Sequence, residues 1–257
     1  VLPHPEGHVA VSQPSHALMC GQMARAWGNA AFGGFEPRAI VEAAADGHDM
    51  GMEGELARLD PATGLPKPFD ALPHAEHVPP QFDGPERLAA IEPYAGLLAS
   101  LHHASFYRRR SPTAVLTRDG RIERRALRRA ARLQARLRAQ CDGGEAEIDR
   151  NRRLVTYWDG LSHDLLRGRW PRERANVPAA EGGARAVRLA PMAGELAAVD
   201  APVDGRFTLD PWPFTRPRER FTAEGRLLRE RFSDESVLRA ALAAAPAVEV
   251  SYVLEAA

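Results

Sequence analysis

Four separate stretches with helical periodicity each place a histidine or an aspartate where the apolar stripe calls for Leu or Val, and this pattern constrains the chain most. His16, Cys20, Met23 and Trp27 recur at spacings of four, three and four residues, which is one face of a helix. Ser12, Gln13 and Pro14 mark its start, and Gly28 marks its end. A second helix opens at Pro37 and aligns Ile40, Ala44 and His48 beside Val41, Ala45 and Asp49, so the His48, Asp49 pair ends an inward stripe. A third opens at Pro93 and puts Leu97, Leu98, Leu101, His102 and Ser105 on one face. A fourth, over about residues 145–167, carries Val155, Trp158, Asp159, Ser162 and Leu166 inward.

A buried carboxylate or imidazole is costly unless it is paired, hydrogen-bonded or bound to a metal. Four such positions on separate helices point to convergence on one ion, with His16, His48, Asp49, His102 and Asp159 as the expected ligands. Mixed imidazole and carboxylate donors suit a divalent transition metal, Fe, Mn, Ni, Co or Zn. Cys20 and Cys141 are the only cysteines and lack CxxC spacing, so they are expected as buried free thiols. Glu53 is a candidate general acid or base just past the His48, Asp49 pair. His103 is rotated about one helical step from His102 and is a candidate substrate contact. His74 and His77 have a spacing that can chelate.

Elsewhere the pattern is looser. Pro61, Pro66, Pro68, Pro73, Pro79, Pro80 and Pro85 predict a long ordered loop over residues 60–85, a candidate lid. Residues 121–141 read as an amphipathic basic helix with Ile122, Ala126, Ala130, Leu133 and Leu137 inward and its arginines solvated. Val9 and Val11 read as a short strand; residues 187–189, 207–209 and 248–253 alternate as strands, with a helix over 234–244. The run Asp210, Pro211, Trp212, Pro213, Phe214 reads as a wedge between sheet and helices.

The fold expected is therefore mostly α: one domain over residues 1–257, with a helical metal-binding core at about 12–170 and a β-containing subregion at about 180–257. A small antiparallel sheet would form largely in that C-terminal part. Hydrophobic residues at 44% and charged residues at 26% fit a globular chain, and no apolar run approaches the ~20 residues that span a bilayer. The first residues lack the basic start and apolar stretch of a signal peptide, so a cytoplasmic location is expected. With 34 basic and 34 acidic residues there is no global field toward nucleic acid or an anionic membrane, and neither is an expected partner. A small-molecule substrate is expected instead; the oligomeric state is not legible.

The order of histidine, adjacent His-Asp pair, further histidine and late aspartate resembles the HD superfamily, whose helical core holds one or two metals through such residues and most of whose members hydrolyse phosphate esters. By that resemblance the fold is an HD-like helical bundle, His16, His48, Asp49 and Asp159 are the matching ligands, and His102 implies a second metal. The chain is also similar over nearly its whole length to the domain of unknown function 3891 family. The similarity rests on Gln13, Pro14, Ser15 and His16, residues 48–51, Asp60, Pro61, Thr63, Gly64 and Pro66, residues 94–102, 159–162 and 210–214. Met50 and Met52 stand where that family's pattern has an aspartate and a tryptophan.

The function this implies is hydrolysis of a phosphate ester through a metal-activated water, with Asp49 bridging or orienting and arginines at the mouth holding the phosphate. The alternatives are a di-iron oxygenase acting on a small molecule and a non-catalytic, metal-stabilised binding module.

Overall fold

A computed structural model describes residues 1–108, 117–192 and 203–257. Two strands, β1 (Leu2–His4) and β2 (Gly7–Val11), lead into helices α1 (Gln13–Ala26) and α2 (Arg38–Gly47). Three 3-10 turns and a small ribbon of β3 (Leu59–Asp60) and β4 (Leu65–Pro66) precede α3 (His74–Ile91), α4 (Pro93–Arg108), α5 (Arg118–Arg138) and α6 (Glu145–Leu166). Then come β5 (Arg172–Pro178), β6 (Ala184–Pro191), β7 (Asp204–Asp210), β8 (Arg218–Leu228), α7 (Glu235–Ala244) and β9 (Ala247–Ala256).

The expected mostly helical bundle with a small C-terminal sheet does not form. About half of the chain is helical, and seven strands make one large curled sheet in the order β1-β2-β8-β9-β7-β6-β5. The sheet is mixed, because β7 pairs with β9 in parallel while the other neighbours are antiparallel. Nor is it purely C-terminal, since Val9 of β2 pairs with Leu227 of β8.

The strand that joins the two ends, β8, hides its alternation. Its inward positions are Phe221, Ala223, Gly225 and Leu227, set between the polar or charged Arg220, Thr222, Glu224 and Arg226, so half of the buried face is Ala or Gly. Gly225 is needed there: a Cβ would stand 2.2 Å from Cγ1 of Val9 on the neighbouring strand.

The helices α1, α2, α4 and α6 pack on one another, and α1 also lies on β8. One apolar cluster runs from Val9, Phe207, Phe221 and Tyr252 on the sheet through Met19 and Met23 of α1 to Trp158 and Leu161 of α6. Phe214 sits in this seam, its ring against Trp27 on the helical side and Phe221 on the sheet. No described helix is long and apolar enough to cross a membrane.

The segment 60–85 is not a loop throughout. Its second half begins α3, which contains Pro79, Pro80 and Pro85 inside 18 residues of helix. Each proline removes one backbone donor. Packing compensates, because Val78 and Phe82 join Ala104 and Tyr107 of α4 and Ala126 and Ala130 of α5 in a second apolar cluster. Arg129 of α5 adds ion pairs to Asp83 and Glu86 of α3. In the stretch before α3, Phe69 lies against α6, its ring centroid 5.6 Å from that of His163.

Candidate metal centre

Each histidine of the centre is fixed by its far nitrogen. Ser12 caps α1 by accepting from Ser15 N at 3.1 Å, and one turn on, His16 Nδ1 lies 2.9 Å from the Gln13 carbonyl oxygen. A carbonyl only accepts, so Nδ1 carries the proton and Nε2 faces inward. His48, where α2 ends, repeats this with Nδ1 at 2.9 Å from the Ala45 oxygen. His102 of α4 has Nδ1 at 2.9 Å from Thr156 Oγ1, whose own proton goes to the Arg152 carbonyl, so again Nδ1 donates. Three imidazoles thus have the tautomer and orientation that metal-bound histidines take.

Their Nε2 atoms converge on two carboxylates. Asp159 Oδ1 lies 3.2 Å from His16 Nε2 and 3.5 Å from His48 Nε2, and Asp49 Oδ2 is 3.6 Å from His48 Nε2. Ligand atoms of His16, His48, Asp49 and Asp159 all lie within 4.8 Å of one another, and all four residues are buried. Bonds of roughly 2.0–2.2 Å to one ion separate neighbouring donors by distances of this size. Cys20 Sγ also falls in such a group with His16 and His48, although its thiol points to the His16 carbonyl and Ser162 Oγ. His102 stands beside the tightest group, Nε2 3.9 Å from Asp159 Oδ2.

The donor set fits a divalent transition metal on a second ground. His48 Nε2, His102 Nε2 and Asp49 Oδ1 are buried with no hydrogen-bond partner. Orphaned atoms of this kind are costly and rare, and a cation with its bound water satisfies such donors and acceptors. The electrostatics agree. Burial opposes charge on His48, yet Asp49, Asp159 and the Cys20 sulfur outweigh it and raise its imidazole to about 9. His16 is likewise held well above the usual histidine range, against burial, by Cys20, Asp159 and Asp49. Burial pushes the Asp159 carboxyl up, but His163, His16, His48 and His102 outweigh it and hold it well below the usual range. The carboxylates draw positive charge onto the Nε2 atoms, and a metal ion supplies it without a proton.

His103 is placed differently. It donates from Nε2 to the His48 carbonyl oxygen at 2.9 Å, so its orphaned Nδ1 is an acceptor. Burial lowers its basicity and keeps it neutral. Glu53 is not brought to the centre: its side chain is 74% exposed and lies 3.7 Å from Arg87. Glu55 is the acid that turns inward, after Gly54 at φ 83 and in a 3-10 turn, and its Oε1 accepts from Gln13 N at 2.7 Å. His74 pairs with Glu123 at 3.1 Å, and His77 donates from Nδ1 to the Leu72 oxygen. Among the described residues neither shares a metal-sized group.

Two cavities reach the centre. One of 420 Å³ is lined by Asp49, Asp159, His102 and His103 together with Thr156, Phe106 and four arginines. The other, 330 Å³, touches His16 and Glu55. Between them stand His163, Phe69, Asp70 and Arg167, which line both. The His163 ring stacks on His16 with centroids 4.3 Å apart and puts Nε2 3.5 Å from Asp159 Oδ1. Sequence reasoning missed it, although its spacing of four from Asp159 places it on the same helix face.

The family described as protein of unknown function (DUF3891) matches residues 1–230. The chain belongs to that family. All five expected ligands, His103 and His163 lie within the DUF3891 stretch, whereas α7 and β9, at the middle of the sheet, lie beyond it. No curated protein and no solved structure matches the chain.

Proposed function

We propose that the chain is a metal-dependent hydrolase acting on a phosphate ester. The observation that carries this is the buried four-residue donor group, His16, His48, Asp49 and Asp159, two of whose members, Asp49 and Asp159, line a 420 Å³ cavity together with four arginines. The similarity of the ligand order to the HD superfamily supports the same reading. A divalent transition metal bound there supplies a water acidic enough to attack near neutral pH and polarises a phosphoryl oxygen. The chain does the rest. Asp49 Oδ1, buried and without a hydrogen-bond partner although 3.5 Å from His103 Nε2, orients the attacking water and takes its proton; Asp49 lines the cavity. His103 Nδ1 accepts a hydrogen bond from a water in the cavity. Phe69 and the Arg167 to Asp70 ion pair stand between this cavity and the one that touches His16.

The test is turnover of a panel of phosphomonoesters and phosphodiesters by protein purified without chelator. Activity lost on chelation and restored by metal is expected, with Asp49→Asn lowering kcat by about 100-fold or more. No turnover of any ester by metal-replete protein would overturn the reading. His102, with Nε2 unpartnered beside Asp159, favours a second ion. With two irons the same ligands suit an oxygenase acting on a small molecule, which oxygen uptake identifies. Metal retained with neither activity leaves a metal-stabilised binding module.

A further inference from the structure

The arginines in the cavity wall are not equivalent. Arg167 is 2.6 Å from Asp70 Oδ2. Arg174 Nε is 2.6 Å from Oδ2 of the buried Asp164, and its other arm donates to the Gly160 carbonyl. Those two charges are neutralised within the fold. Arg169 and Arg172 line the same cavity, are exposed, and have no carboxylate at ion-pair distance among the described residues. Their backbones are nonetheless anchored. Arg169 N donates to the Asp164 carbonyl at 2.9 Å, and Arg172 pairs with Leu189 in the ladder of β5 with β6. Arg172 and Arg174 are two residues apart on a strand, so they share one face.

Of the metal-ligand group, Asp49 and Asp159 line this cavity and are 4% and 7% exposed, which makes them its floor, while the exposed Arg169 and Arg172 lie at the rim. A cation at the floor already provides for a reacting phosphoryl group. Two further exposed guanidiniums that line the same cavity without a carboxylate at ion-pair distance among the described residues are free to take an anion, and guanidinium is the side chain best suited to phosphate or carboxylate. We propose that the substrate is a small molecule with two anionic groups, the reacting phosphoryl at the floor and a second phosphate or carboxylate held by Arg169 and Arg172. This rests on the hydrolase reading for the role of the floor, while the rim subsite is tested by binding alone.

The probes are three non-hydrolysable ligands titrated calorimetrically into the metal-loaded protein: propylphosphonate, 3-phosphonopropanoate and propane-1,3-diphosphonate. The two-anion ligands are expected to bind about tenfold or more tighter than propylphosphonate, the gain of a charge-assisted contact. Arg169→Gln/Arg172→Gln should remove that advantage while metal content and propylphosphonate affinity stay as in the wild type, and Arg169→Lys/Arg172→Lys should restore part of it. Preference for the carboxylate or the diphosphonate ligand identifies which second anion the rim takes. Equal affinity for all three ligands, an advantage that survives in the double Gln variant, or no binding of any phosphonate would overturn the proposal. A two-anion preference in a protein that turns over no ester would leave the subsite standing and remove the hydrolysis.

Discussion

The carbonyl oxygen of His48 accepts a hydrogen bond from Nε2 of His103 at 2.9 Å. This contact ties α4 to the point where α2 ends, between two expected ligands, His48 and Asp49. Outer contacts that orient ligands typically alter metal affinity by roughly 10–100-fold. His103→Ala is therefore expected to weaken metal binding within that range without removing a ligand, as read by competition with a chromophoric chelator. Unchanged affinity would mean that the contact does not position the pair.

Gly51 follows the pair and packs on α3. A Cβ at this position would stand 2.0 Å from the Pro80 carbonyl oxygen and 2.7 Å from Gly84 N, both backbone atoms that cannot swing away. Gly51→Ala is expected to destabilise the fold by about 2 kcal/mol or more, the cost of forcing packed backbone apart. Urea unfolding measures it, and metal content should fall with it, because the displaced segment carries Asp49.

The parts of the fold that were legible are those where one helix carries its own signal. Ser12 as the cap of α1, Pro93 at the start of α4 and the inward phase of His16, His102 and Asp159 all follow from spacing within one element. What was not legible depends on partners far along the chain. β8 is a strand because β2 and β9 flank it, and its Ala223 and Gly225 give no apolar alternation. α3 survives three prolines because α4 and α5 pack on it. At the site, Glu53 and Glu55 differ through the short 3-10 turns around them, which have no periodicity to read, so spacing does not tell the exposed glutamate from the inward one.

Glu55 gives a pH dependence. Burial chiefly pushes its carboxyl up to about 7 from an ordinary value of 4.5. The folded protein therefore binds a proton that the unfolded chain releases, so this contribution is full below pH 4.5 and is lost as pH rises through 7. Glu55→Gln keeps the acceptor for Gln13 N without the charge. In metal-stripped protein the variant should come nearest the wild type below pH 4.5 and exceed it near pH 8 by up to roughly 3 kcal/mol. A stability difference that does not change with pH would show that Glu55 is not desolvated as the fold implies.

The central claim is the metal, and elemental analysis tests it most directly, on protein purified without added metal or chelator and on His48→Ala and Asp159→Ala. The account predicts near-stoichiometric transition metal in the wild type and its loss in both variants, each of which removes one member of the four-residue donor group. Folded wild-type protein that holds no transition metal, even after metal is supplied, would contradict it.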